Sequence, residues 1–227
     1  MTKNTSPRIV EIIGPAGAGK TTLCRALSPC KKSFHMGNFP DVRKISAAPF
    51  FIWHGLRISP ALLGLPKRNS RKLTRREFAW LSILRGWPGI LKKELISDKI
   101  TILDQGPVFL LTETCEFGPE YLRDQNANPL WQDLYSRWSN TLDMIVWLDA
   151  PDTHLMSRIR HRDKGHVVKN ESDATTFEFF ARYRQAYERT ISNLQANHSD
   201  LKILRFDTSQ KSSDEIACQL LFEFGAN

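Results

Sequence analysis

Short apolar runs rich in β-branched residues recur along the chain, and each stops at a glycine or an aspartate. They are RIVEIIG (Arg8–Gly14), KITILD (Lys99–Asp104), DMIVWLD (Asp143–Asp149) and LKILRFD (Leu201–Asp207). Runs this short, with only partial alternation, predict strands covered on both faces. After the first comes KTTLCRAL, after the third DTHLMSRIRHRD, and after the fourth SSDEIACQLLFEF, all with helical spacing of apolar residues. Pro107 suits the first turn of a helix after the second run, and Ser212 with Glu215 has capping-box spacing. Strands alternating with helices predict a βαβ series, hence a parallel sheet with helices on both faces. In open α/β sheets ligands bind at the carboxyl ends of the strands. Those ends are Gly14, Asp104, Asp149 and Asp207.

Between the first helix and KITILD the pattern is irregular. A short strand is expected near SFHMG, followed by the apolar, proline-containing AAPFFIWHGLRISPALLGLP (Ala47–Pro66) and the basic run KRNSRKLTRRE. A helix is expected from Thr74, which has capping-box spacing to Glu77, with Phe78, Leu81 and Leu84 at helical intervals and GWP as its stop. We read residues of about 38–97 as a helical insertion that binds an acceptor. From about Thr175 to Asn197, Phe177, Phe180, Tyr187, Ile191 and Leu194 predict one long amphipathic helix. No internal repeat is evident.

Composition adds limits rather than identity. At 227 residues, with 41% hydrophobic and 25% charged residues, the chain is an ordinary folded protein, and we read it as one domain over 1–227. A net charge of +8 favours anionic partners. Cys24, Cys30, Cys115 and Cys218 show neither a Cys-x-x-Cys pair nor zinc-ligand spacing, as expected of reduced thiols in the cytoplasm. The amino terminus lacks the apolar run of a signal peptide. His54, Arg57 and three prolines interrupt Ala47–Pro66, so no transmembrane segment is expected, and a buried or surface-lying element, with peripheral membrane contact, stays open.

The most specific chemistry lies in GPAGAGKTT. Gly14-Pro15-Ala16-Gly17-Ala18-Gly19-Lys20-Thr21 fits G-x-x-x-x-G-K-[ST], with a predicted strand before it and a helix after it. In that context backbone N–H groups converge on phosphates, Lys20 reaches the β and γ phosphates, and Thr21 offers a hydroxyl to Mg²⁺. The expected ligands are therefore ATP and Mg²⁺, with Thr22 completing the loop. Asp104 ends a strand where a carboxylate can hold a metal-bound water or accept a proton, or else simply turns the chain. Asp149 reads first as a helix cap. Arg158 and Arg162, four apart, are expected to face a polyphosphate together, while Arg160 and Lys164 suit either a solvated face or the same phosphate-neutralising role. The run Lys67–Arg76 reads as an exposed basic segment, with an anion clamp on the acceptor, or a contact to nucleic acid or acidic lipid, as the alternative. The histidines share no ligand spacing, and no metal other than Mg²⁺ is suggested.

With GPAGAGKTT, ILDQG, IVWLDAPDTHLMSRIRHRD and ILRFDTSQ in this order, the chain resembles the nucleotide and nucleoside kinase branch of P-loop proteins, particularly thymidylate-kinase-like proteins. The resemblance implies a three-layer α/β/α fold with a five-stranded parallel sheet in the order 2-3-1-4-5 and an arginine-rich lid at about 158–173. It also implies ATP phosphates and Mg²⁺ at Gly14–Thr22, Asp104 beside the transferred group, Arg158 and Arg162 in the lid, and Thr208 near the adenine. Thymidylate kinases usually carry an acid where this chain has Ala16, and an arginine where it has Gln105. Both serve the acceptor, so a nucleoside monophosphate is not implied. The reading is an ATP-dependent kinase acting on a small-molecule acceptor. Alternatives are a P-loop ATPase or nucleotide sensor, a kinase for a lipid-like acceptor, and a nucleic-acid 5′-end kinase, which is not favoured. A homodimer is compatible with all of them.

Overall fold

Every residue of β1 (Ile9–Ile13) is buried, so its side chains serve two cores in alternation. Ile9 and Ile13 enter one, Val10 and Ile12 the other, and Glu11 falls by the same period on the side of Ile9 and Ile13. The computed structural model describes residues 8–28, 34–37, 39–40, 44–65, 70–95, 99–123, 129–163 and 165–224. Cys30, Lys164 and the first part of the basic run, Lys67–Asn69, lie outside these residues.

Around β1 stand β2 (Phe34–Met36), β3 (Ile100–Asp104), β4 (Met144–Asp149) and β5 (Lys202–Asp207), all parallel, in the order β2-β3-β1-β4-β5. The expected sheet and strand order are therefore present. Register aligns Ile12 with Asp104 and with Val146, and Asp149 with Asp207. The carboxyl ends of the strands thus form one edge.

On one face lie α1 (Lys20–Leu27), α6 (Asp152–Arg160) and α8 (Ser213–Glu223); on the other lie α2 (Ala48–Leu63), α3 (Arg75–Glu94), α4 (Pro107–Glu116) and α5 (Pro129–Ser139), with α7 (Asp173–Asn197) contributing to both cores. Thr74 and Glu77 form the expected capping box at α3, and Ser212 and Glu215 the one at α8. The sequence pattern does not predict α5, and it leaves Ala48–Leu63 as an apolar element within the expected helical insertion. Yet Leu130, Trp131, Leu134, Tyr135 and Trp138 are buried at spacings of three and four, a legible helical signal. None of the described helices is long and apolar enough to cross a membrane.

The GWP stop is corrected by the structure, because α3 runs through Gly86, Trp87 and Pro88 to Glu94. Proline ends helices partly because it cannot donate to the carbonyl four residues back. Here that carbonyl, Leu84 O, accepts instead from the indole Nε1–H of buried Trp138 at 2.7 Å. The tertiary bond fills the gap that Pro88 leaves.

This substitution of one donor for another has a measurable consequence. Trp138→Phe is expected to cost about 1–3 kcal/mol in urea unfolding, largely for the orphaned carbonyl. Pro88→Ala, which restores an N–H, is expected to gain about 1 kcal/mol more in the Trp138→Phe background than in the wild type. Equal gains in both backgrounds would contradict the exchange.

Candidate functional site

The turn from β1 into α1 takes its shape from glycine. Gly14 has φ 145°, and a Cβ there would meet the Leu148 carbonyl oxygen at 2.1 Å; Gly17 has φ 85°, and a Cβ there would meet the Leu155 carbonyl oxygen at 2.7 Å. Both conformation and space therefore exclude larger residues. The loop wraps so closely that its backbone is the lining. No side chain caps α1, and its first turn holds no acid, whereas Thr74, Ser172 and Ser212 cap α3, α7 and α8. Its positive end therefore has no counter-charge or side-chain acceptor from its own first turn.

Lys20 folds back over the loop. Its Nζ donates to Gly14 O at 2.6 Å and to Pro15 O at 3.0 Å, and burial lowers its pKa to about 8, with Asp104 opposing the shift. Asp104 faces it from the end of β3, its own pKa raised by burial and lowered in part by Lys20. A cleft of about 710 Å³ opens here. It is lined by Gly14, Ala16, Gly17, Gly19, Lys20, Thr21 and Thr22 of the loop region, and by Asp104, Arg158, Arg162 and Thr208. Pro15 contributes a carbonyl rather than a wall, and Ala18 is buried in the core.

The arginines divide their work. Arg158 donates to Gly17 O at 3.2 Å, to Thr208 Oγ1 at 2.8 Å and to Thr208 O at 2.8 Å, so much of its guanidinium ties the loop to the end of β5. Arg162 lines the cleft with its Nε buried and without a hydrogen-bond partner among the described residues. The expected pair thus meets at the cleft, but Arg162 holds the freer donor. Arg160 turns away to Asp173 at 2.8 Å. Asp149 is not the helix cap expected: its carboxylate accepts from Arg184 at 2.7 and 3.0 Å and from the Ala150 N–H at 2.8 Å.

Several lining residues lie outside the motifs of the sequence. The far wall is aromatic, formed by Phe109 of α4 and by Phe179, Tyr183 and Tyr187 of α7. Tyr183 stacks on Phe117 at 4.6 Å and donates to Glu113, whose pKa is raised by burial. Spacings of four, Phe109 to Glu113 and Phe179 to Tyr183 to Tyr187, are the signal that could have placed them together on two helices. Residues 38–97 supply none of the described lining side chains.

Glu11, which no motif singles out, holds this wall's near end. Gly106 leaves α4 without a side-chain cap of its own, and the Glu11 carboxyl accepts from the Val108 N–H at 2.7 Å and the Phe109 N–H at 3.0 Å. A residue from β1 thereby caps a helix nearly a hundred positions later. Between the two, Gln105 adopts φ 60°, the only positive φ of a non-glycine among the described residues. Such strain persists where surroundings fix it.

No family model matches the sequence, and no curated protein is similar to it. Solved structures are similar in fold. A deoxyadenosine kinase from M. mycoides with bound dATP aligns at 16% identity and a TM-score of 0.52, over 94% of this chain and 99% of that one. A thymidylate kinase from Candida albicans aligns at 17% identity and a TM-score of 0.54, over 98% and 92%. With its strand order and glycine loop, the chain has the fold of the P-loop nucleotide kinases.

The capping carboxyl predicts a pH dependence of stability. Burial raises the pKa of Glu11 to about 8, against the lowering by the backbone N–H groups of α4. The unfolded carboxyl loses its proton near 4.5 and the folded one near 8, so the folded state binds more protons between those values. Stability relative to Glu11→Gln should therefore fall as pH rises from about 4.5 to 8, by about 1.4 kcal/mol for each tenfold drop in proton concentration and a few kcal/mol in all. Urea unfolding of both proteins across this range measures it; a relative stability that rises with pH would contradict a protonated Glu11.

Proposed function

We propose that this protein is an ATP-dependent phosphotransferase, moving the γ-phosphoryl group of ATP to the hydroxyl of a small-molecule acceptor. The observation that carries the reading is the convergence of Lys20, Asp104 and Arg162 on one cleft, over a loop whose helix end lacks a side-chain cap. A nucleotide kinase of this fold needs those groups there: cations for charge on the transferred oxygens and a carboxylate beside the acceptor.

In this reading the backbone of Gly14–Thr22 binds the phosphates, with Lys20 leaving its contacts to Gly14 O and Pro15 O for the β and γ oxygens. Arg162 neutralises charge on the transferred group. Arg158 mainly positions, holding Thr208 and the loop at a fixed distance, and Thr208, with nearby Ser212 and Ser213, forms the base site. Thr21 and Asp104 are hard oxygen donors on the same cleft and fit Mg²⁺, Asp104 through a water. Held by these residues, Mg²⁺ would supply positive charge that stabilises the negative charge of the phosphates. Among the described residues no three His, Cys, Asp or Glu come together as a metal cluster, so the nucleotide would supply most of the ligands.

Asp104 orients the acceptor hydroxyl and accepts its proton. The acceptor lies against Phe109, Phe179, Tyr183 and Tyr187, which suits a ring-bearing alcohol, a nucleoside among them. The insertion at about 38–97 is proposed to back this wall, since Trp80 of α3 packs on Phe109 with ring centroids 6.4 Å apart. Residues of about 158–173 are the proposed lid, whose closure would keep water from the γ phosphate. The cytoplasm is the proposed compartment, where the thiols of Cys24, Cys115 and Cys218 stay reduced.

Label in the γ position of ATP, followed in the presence of Mg²⁺ with nucleosides, nucleoside monophosphates and sugars, should appear on one hydroxyl acceptor. Lys20→Ala and Arg162→Ala should each lower that transfer by about a hundredfold or more. Phosphate released to water at the same rate with and without every acceptor would overturn the transferase reading. Full turnover by Lys20→Ala would overturn the role of the loop.

A further inference from the structure

The helix α2 is apolar over most of its circumference, with His54, Arg57 and Ser59 its only polar residues, yet the fold covers one side only. Gly55, Ile58 and Leu62 are buried against the core. Ile52, Leu56 and Leu63, spaced by four and seven, are 63%, 65% and 74% exposed, with Trp53 beside them at 55% and Ile45, just before the helix, at 91%. A helix apolar on all sides normally lies in a core, and a contiguous bare apolar face marks an interaction site. An apolar groove of about 420 Å³, lined chiefly by Ile45, Ala48, Phe51, Ile52 and Phe78 with Lys44 among them, extends this surface onto α3.

Charge identifies the partner. From Val42 to Arg76 the sequence has nine lysines and arginines and no aspartate or glutamate. Lys44, Arg57, Lys72 and Arg75 are exposed, and the Arg57 guanidinium lies 4.2 Å over the ring of Trp53. Apolar side chains with a tryptophan, flanked by cations only, are what an interfacial helix presents to a lipid surface. At 16 residues α2 is about 24 Å long, short of a bilayer's hydrocarbon core.

We propose that the bare face of α2 docks this protein on an anionic bilayer surface, with the helix in the membrane plane and Ile52, Trp53, Leu56 and Leu63 entering the acyl boundary. A second copy fits less well, because a two-fold interface would set this acid-free cationic segment against itself. Nucleic acid would leave the apolar residues bare, since its phosphates ask for cations.

The test is co-sedimentation of the full-length protein with vesicles of phosphatidylcholine alone and with about 30% phosphatidylserine. Binding should be at least about tenfold tighter to the anionic vesicles, weaken with salt, and fall by about tenfold or more in Leu56→Glu and in Ile52→Glu. Both side chains are mostly exposed, so both variants should unfold at the wild-type temperature, and the second stands in if the first does not fold. Equal binding to both vesicle types, or wild-type binding by the folded variants, would overturn the proposal. So would a wild-type dimer in sedimentation equilibrium that Leu56→Glu converts to a monomer, which would make the face an interface between copies.

Discussion

Where α1 starts behind Gly19, no side chain accepts from its first N–H groups and no acid balances its positive end. Several other helices do not begin that way: Thr74, Ser172 and Ser212 cap three of them, and Glu11 reaches across from β1 to cap α4, whereas α2 shares the uncapped start. An uncapped helix end lowers stability by about a kilocalorie per mole. At α1 that cost falls where the backbone of a glycine loop turns toward a cleft. Much else at this edge of the sheet serves to hold the loop open and oriented, as Arg158 does by bonding Gly17 on one side and Thr208 on the other.

Charge at the site is balanced by burial. Lys20 is a cation whose pKa is depressed by desolvation, and Asp104 a carboxyl whose pKa is raised by it, each partly restored by the other. Removing water from both strengthens whatever charge enters between them. The same logic extends to Glu11, which neighbours Asp104 and is kept from water by the core. Its hold on α4 fixes the turn containing Gln105, so the first turn of the aromatic wall and the glycine loop share one strand, β1, as their support.

How far the sequence discloses this depends on the range of each interaction. The strands, the phosphate loop and the capping boxes at Thr74 and Ser212 are local, and their residues lie within a few positions of one another. Continuation of α3 through Pro88 is not legible, because the donor that permits it, Trp138, is fifty residues away and its bond to Leu84 exists only in the fold. For the same reason Arg158 and Arg162 look alike by helical spacing, and only Thr208 and Gly17 distinguish them. Glu11 does carry a signal, since an acid within a strand covered on both faces must find donors. The aromatic wall is assembled from α4 and α7, seventy residues apart, and no motif names it.

Whether the loop reads phosphates is decided most directly by calorimetric titration of the wild-type protein with ATP and with AMP, each with Mg²⁺. A cradle for the β and γ phosphates requires ATP to bind at least about a hundredfold more tightly than AMP, a difference of about 2.7 kcal/mol. Equal affinities would mean that the β and γ phosphates contribute nothing to binding, and that the uncapped end of α1 does not serve a polyphosphate.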